Sequence, residues 1–240
     1  MKSKARQPGD QVFPRPLVTV DVVIFTVRDG ALSVLLVKRS ADPYAGRWAL
    51  PGGFIDIERD ADLESAALRI LREKTDARAP YLEQLGSFGD ARRDPRGWAA
   101  THVFFALIPG DAIDPRPARD VEAIQWAPVS EKGVKAALAF DHDRIVKAAV
   151  ERLRGKAEYT ALPVHLLPRE FTVSDLQAMY EAVLGRALDK SAFRTRVLGA
   201  DFLEPASGTR TGPNRPAQLY RLKKGREVVY FPRTFYGAKS

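Results

Sequence analysis

Cysteine is missing from the 240 residues, and there are only two methionines and three histidines. Without cysteine the chain has no disulfide framework and no thiolate zinc site, which fits a reducing, cytoplasmic setting. His102, His142 and His165 are too scattered for metal-ligand spacing or an acid–base constellation, and each reads as a hydrogen-bonded structural residue. No metal site is expected. No apolar run approaches the roughly 20 residues that cross a bilayer, so no membrane segment is expected. The basic stretch Met1–Arg6 has no apolar segment behind it, which is not the pattern of a secretory signal. Repeats and low-complexity tracts are also lacking.

A hydrophobic content of 45% suits a packed core, and the length suits one large or two ordinary domains. The net charge of +8 hints at a polyanionic partner. Its distribution is uneven. Residues 158–240 carry 13 Lys and Arg against 8 Asp and Glu, whereas the preceding 157 carry 25 against 22, so the smaller part holds +5 of the excess.

Residues 1 to about 15 read as a disordered or arm-like lead. Leu17–Val27 then reads as a strand, Asp29-Gly30 as a hairpin turn and Leu32–Arg39 as its partner. After a loop from Asp42 to Arg47 comes Trp48-Ala49-Leu50-Pro51-Gly52-Gly53-Phe54. A helix is expected from about Asp62 to Lys74, with Leu63, Ala66, Ala67, Ile70 and Leu71 on its core face. An Arg- and Asp-rich loop, Gly89–Trp98, leads into a strand over Ala100–Ile108, and Glu122–Val129 reads as the last strand. A helix opening at Leu138–His142 runs to about Arg154, with Asp141 or Asp143 as N-cap. Strands alternating with helices predict an α/β/α sandwich on a mixed sheet.

The double glycine and the helix after it resemble the Nudix box, the loop–helix–loop of hydrolases that cleave nucleoside diphosphates linked to another group. Gly53 matches its opening Gly, Arg69 its Arg and Glu73 the first of its paired Glu residues. The departures fall on the metal ligands. Ile70 stands where Glu should follow Arg, Lys74 replaces the second Glu of the pair, and Asp76 replaces the closing Gly. Fifteen residues separate Gly53 from Arg69, more than the regular spacing, and Ala61 stands where the upstream Glu would be. Mg²⁺ needs several oxygen ligands, and an ammonium beside its site repels it. The resemblance therefore implies a Nudix fold that binds without cutting.

Past Pro168 the pattern changes. A helix opens near Phe171 with Thr172 as cap and stops at Gly185; Asp189 caps a second over Lys190–Gly199. Phe193, Val197 and Leu198 are expected to face inward, leaving Lys190, Ser191, Arg194 and Thr195 outward. A hairpin with a basic tip, Gly208–Arg215 returning through Gln218, follows as a wing. Helix, turn, basic helix and basic wing in that order read as a winged helix-turn-helix for DNA.

Joined, the two parts resemble the Nudix-related transcriptional regulators of NAD metabolism (NrtR) from about residue 13 to residue 225. The specific marks are Pro51-Gly52-Gly53-Phe54, the Arg93–Trp98 loop, Phe140-Asp141-His142, Tyr180–Gly185, Leu188-Asp189-Lys190 and Arg215–Tyr220. That resemblance implies an α/β Nudix-like effector-binding domain over residues 1–157 and a winged helix-turn-helix DNA-binding domain over 158–240. It implies a cytoplasmic homodimer that represses NAD biosynthesis or salvage genes from a pseudo-palindromic operator, and leaves the DNA when ADP-ribose or a related nucleotide binds. No catalytic residue or cofactor is expected. The effector would lie near Arg39, Trp48, Gly52, Gly53, Phe54, Glu73, Arg93 and Arg96. DNA would be held by Lys190, Ser191, Arg194, Thr195, Arg196, Arg210, Asn214, Arg215 and Gln218. The alternatives are an active ADP-ribose or nucleotide-sugar pyrophosphatase, a sugar-catabolism regulator of the same architecture, and an RNA-associated Nudix protein.

Overall fold

Alternation along the first strand sets the layers. In the computed structural model, which describes residues 15–75, 79, 81–110, 121–211, 216–226 and 228–232, strand β1 (Leu17–Arg28) is buried on both faces. Val20, Val22 and Ile24 point to one side, and Val23 and Phe25 to the other. β1 turns through Asp29 and Gly30, both at positive φ, into antiparallel β2 (Ala31–Arg39). That is the turn that Asp-Gly favours between twisted strands.

The first half of β1 pairs with β4 (Gly52–Phe54), and Leu17–Phe25 run parallel to β6 (Ala99–Leu107). β5 (Tyr81–Asp90) pairs antiparallel with β6. β3 (Trp48–Ala49) and β7 (Val121–Pro128) both pair with β2, completing a mixed seven-stranded sheet.

Helix α1 (Leu63–Thr75) lays Ala66, Ala67, Ile70 and Leu71 against Val20, Val22, Ile24 and Phe104 on one face. Helix α2 (His142–Ala157) buries Ile145, Val146, Ala149, Val150 and Leu153 against Val23, Phe25, Val34 and Phe105 on the other. The sandwich expected from the sequence is therefore present. One detail differs: α2 starts at His142, and Asp141 at the N-cap makes no side-chain cap bond. Its carboxylate is taken by Arg93 instead.

After a short 3-10 turn at Leu162–Leu166 come α3 (Val173–Leu184), α4 (Lys190–Gly199), β8 (Leu203–Arg210) and β9 (Ala217–Leu222). Thr172 and Asp175 form a reciprocal capping box, with bonds of 3.1 and 2.8 Å, and Gly185 ends α3 at φ 71°. Asp189 caps α4 by accepting from the Ala192 amide at 2.7 Å. Tyr180 and Phe193 meet edge to face in a second core with Phe171, Leu176, Val197 and Phe202.

Leu198, expected inward, is 38% exposed. Phe193 and Val197, one turn apart, already fill the buried stripe, and the next residue lies about 100° further round. No sequence pattern marks the return of Val228–Pro232, where Phe231 packs on Phe202 and Tyr230 bridges Thr160. A division after residue 157 falls at the end of α2, yet Leu162, Leu166 and Val183 also belong to the sandwich core.

Candidate functional site

The box helix keeps the Nudix position and fills it with different chemistry. Ile70 is 1% exposed in the core, and Lys74, one turn on, is buried as well. Asp56, Asp60 and Glu73 nearby are engaged by guanidinium groups. Arg69 donates to both oxygens of Asp60 at 2.7 and 2.8 Å, and also to the Phe54 carbonyl at 3.1 Å. The bond from Arg69 holds the Asp60 carboxyl down to about 2. Arg59 reaches Glu73 at 3.1 Å and Asp56 at 3.8 Å. Exposed Arg72 joins these residues around an open cavity of about 410 Å³. Among the described residues no three His, Cys, Asp or Glu are grouped to hold a metal ion. A hard divalent cation would have to displace Arg59 and Arg69, so these residues do not suit the Mg²⁺ that the fold family uses.

Two loops, 42–44 and 95–96, form a second opening. Phe54 is 49% exposed, and the Arg96 guanidinium lies 5.4 Å from its ring centre. Asp94 orients Arg96 through bonds of 3.0 and 2.7 Å. Arg96 and Pro95 then line a cavity of about 520 Å³ with Asp42, Pro43 and Tyr44. An aromatic ring under a guanidinium, on a residue whose carbonyl is bonded by cavity-lining Arg69, suits a ligand with a planar base and phosphates.

Beneath lies a buried polar cluster. Arg93 bonds Asp141 at 2.9 Å and approaches Asp21 at 3.5 Å. The Leu50 amide donates to His142 Nδ1 at 2.9 Å, and Asp21 stands 3.7 Å from the opposite ring nitrogen. Gly52 crosses directly over Asp21, where an added Cβ would fall 1.9 Å from the carboxylate oxygen; Gly53 faces open space.

The expected effector residues therefore divide. Glu73 and Arg96 line the two openings, Phe54 is exposed beneath Arg96, and Gly53 faces open space. Arg93 is a correction: at 6% exposure its charge is spent inside the protein, because Asp21 and Asp141 require it. Trp48 is half-buried, packs on the sandwich core and bridges Leu138. Arg39 holds its own loop, donating to the Pro43 carbonyl at 2.7 Å and lying over Phe140. Tyr44, which the sequence reading left out, carries no motif signal; a loop from another strand brings it there.

Burial pushes the His142 imidazole below its ordinary 6.5, and Arg93 and Arg39 add to this against the opposing Asp21 and Asp141. The folded chain thus refuses a proton that the unfolded chain accepts. Stability contributed by neutral His142 is complete above pH about 6.5 and is lost as pH falls below it, by at most about 1.4 kcal/mol per pH unit. Urea unfolding at pH 7.5 and 5.5 should show a smaller pH difference for His142→Gln than for the parent.

In the second domain, Lys190, Ser191, Arg194 and Thr195 all lie exposed on α4, as expected. Three other expected positions make contacts within the domain. Arg196 is half-buried, with its charge bearing on Tyr180 in the core. Arg210 is ion-paired with Asp175 at 2.6 Å, fastening the wing to the α3 cap. The Gln218 amide donates to the Ala206, Gly208 and Leu219 carbonyls, satisfying backbone where the hairpin register shifts. Asn214 and Arg215 lie outside the described residues.

Comparison with known proteins bears on both parts. Residues 15–149 match the NUDIX domain family, and residues 163–222 match the NrtR DNA-binding winged helix domain. The ADPR responsive transcriptional repressor NtrR of Acinetobacter baylyi is 44% identical over 92% of this chain and 88% of its own. The crystal structure of Shewanella oneidensis NrtR complexed with a 27mer DNA superposes with a TM-score of 0.84 at 40% identity, covering 91% of this chain and 99% of that one. The NUDIX domain of the same protein complexed with ADP ribose matches 62% of this chain and 94% of its own, at 43% identity and a TM-score of 0.54.

Proposed function

Since the chain belongs to the NrtR family of Nudix-related regulators, we propose that it is an ADP-ribose-responsive transcriptional repressor. The observation that carries this reading is the joining of a winged helix-turn-helix with exposed Lys190 and Arg194 to a Nudix sandwich whose metal-ligand positions are core (Ile70) and buried ammonium (Lys74).

In this reading residues 1–157 bind the effector and 158–240 hold the operator. The diphosphate of ADP-ribose lies toward Arg59 and Arg72, and its base toward Phe54, Arg96 and Tyr44. Guanidinium groups do there what Mg²⁺ does in hydrolases, so the nucleotide is held and not cleaved. The effector's differential affinity for two arrangements of the protein then becomes the signal. Binding and release replace turnover.

A cytoplasmic homodimer would place two copies of α4 about 34–36 Å apart, one DNA turn, on a pseudo-palindrome. Lys190, Ser191, Arg194 and Thr195 enter the major groove, and the wing tip grips the flanking backbone. The target genes in this reading serve NAD synthesis or salvage. Selection of genomic fragments on the purified protein tests it: enrichment of a palindrome beside such genes, lost on adding ADP-ribose, is the expected result. Enrichment beside sugar genes, indifferent to ADP-ribose, would replace the effector. Absence of any enriched sequence, with Mg²⁺-dependent release of AMP, would replace the function.

A further inference from the structure

Helix α2 is bonded at one end to the effector openings and at the other to the turn of the helix-turn-helix. At its start, the Ala139 amide donates to the Trp48 carbonyl at 2.8 Å and the Leu50 amide to His142 at 2.9 Å. Arg93, from the loop that carries Arg96, bonds Asp141. Tyr44 packs edge to face on Phe140, with ring centres 4.8 Å apart. Thus the three segments around the openings, 39–44, 48–54 and 93–96, each hold residues 139–142.

Twelve to sixteen residues later, about 18–24 Å along the axis, the same helix and its C-cap grip the other domain. Arg154 donates to the Val183 carbonyl at 2.9 Å, and its guanidinium lies 3.1 Å from where a side chain on Gly185 would begin. Glu158 accepts from Arg186 at 2.8 and 2.9 Å. The Tyr180 hydroxyl donates to Thr160, just past the helix, at 2.7 Å. Val183 to Arg186 is the end of α3 and the start of the turn that sets α4. Between these ends Ile145, Val146, Ala149, Val150 and Leu153 are at most 1% exposed, so the helix is packed as a rod.

Resting on the reading of an ADP-ribose-released regulator, we propose that α2 is the lever carrying effector occupancy to the DNA-binding turn, with Arg154 and Glu158 as its output contacts. Both are positioning residues that touch neither effector nor DNA. A shift of the openings around a bound nucleotide moves residues 139–142, the rigid helix passes it on, and the Val183–Arg186 turn re-aims α4. Interfaces held by a few directed bonds switch between discrete arrangements in this way.

The test measures operator Kd with and without saturating ADP-ribose, and ADP-ribose Kd by calorimetry, for the full-length parent, Arg154→Ala, Arg154→Lys and Glu158→Gln. We expect each variant to bind ADP-ribose within about twofold of the parent, as the site is distant. The ratio of the two operator Kd values should fall at least about threefold toward one in Arg154→Ala and Glu158→Gln, with partial recovery in Arg154→Lys. An unchanged ratio in Arg154→Ala and Glu158→Gln overturns the proposal, and Glu158→Gln decides alone if Arg154→Ala does not fold. A parent insensitive to ADP-ribose sinks both this inference and the function it rests on. A responsive parent with equally responsive variants sinks only the lever.

Discussion

Arg194→Ala is expected to weaken operator binding by about 2–6 kcal/mol, at least thirtyfold, in a dimer that presents two copies. A bidentate arginine–guanine contact contributes about 1–3 kcal/mol of discrimination. Arg194 is exposed on α4, and no bond ties it down among the described residues. Its planar fork is therefore available, whereas Arg196 and Arg210 are engaged within the domain. Fluorescence anisotropy on the selected operator across a range of salt separates two modes. Loss with an unchanged salt slope and relaxed sequence preference marks base reading. Loss with a slope lowered by about one per copy marks a phosphate contact. Thermal stability should stay within about 0.5 kcal/mol, because α4 keeps its buried stripe. An operator affinity equal to the parent's would remove Arg194 from the interface.

Gly52→Ala is the second large effect, and Gly53→Ala is its control. A methyl group at Gly52 would lie 1.9 Å from the Asp21 oxygen and 3.1 Å from the Val20 carbonyl. Either Asp21 swings away from Arg93 and His142, or β4 moves off β1, and with it Phe54. Overpacking of this kind costs about 1–3 kcal/mol. ADP-ribose affinity should fall at least tenfold, since Phe54, which Arg96 covers and Arg69 holds by its carbonyl, is carried on that strand. At Gly53, one residue on, a methyl group meets nothing within 4 Å, so stability should be nearly unchanged. Melting curves and calorimetric titration of both variants check this. Equal behaviour of the two would mean that the close approach to Asp21 carries no weight.

How far the molecule could be read from its sequence depended on the range of the physics involved. The β1–β2 turn, the Thr172 and Asp189 caps and the Gly185 stop are local: each needs a few adjacent residues, and each stands where the pattern put it. The faces of α1 and α4 follow from helical period, with Leu198 misassigned because it lies beside the stripe and not on it. The buried charges were not legible. Arg93, in a loop dense with Arg and Asp, reads as solvated or ligand-facing. Only the fold reveals that Asp21 and Asp141, 72 and 48 residues away, close around it. Arg210 and Gln218 show the same limit, since their partners lie in α3 and across a hairpin irregularity. That Ile70 and Lys74 stand at positions where the Nudix pattern has Glu is legible in the sequence. That Arg59 and Arg69 cover Asp56, Asp60 and Glu73 is not, because Arg69 also belongs to the ordinary pattern.

The central claim is that ADP-ribose acts here as a signal and not as a substrate. The most direct measurement is the operator Kd of the purified chain, titrated with ADP-ribose in EDTA and again in Mg²⁺, with nucleotide recovered and analysed afterwards. We expect operator affinity to fall about 5- to 150-fold at saturation, equally in both buffers, with ADP-ribose recovered intact. Operator affinity indifferent to ADP-ribose, or lost only in Mg²⁺ while AMP accumulates, would contradict the account.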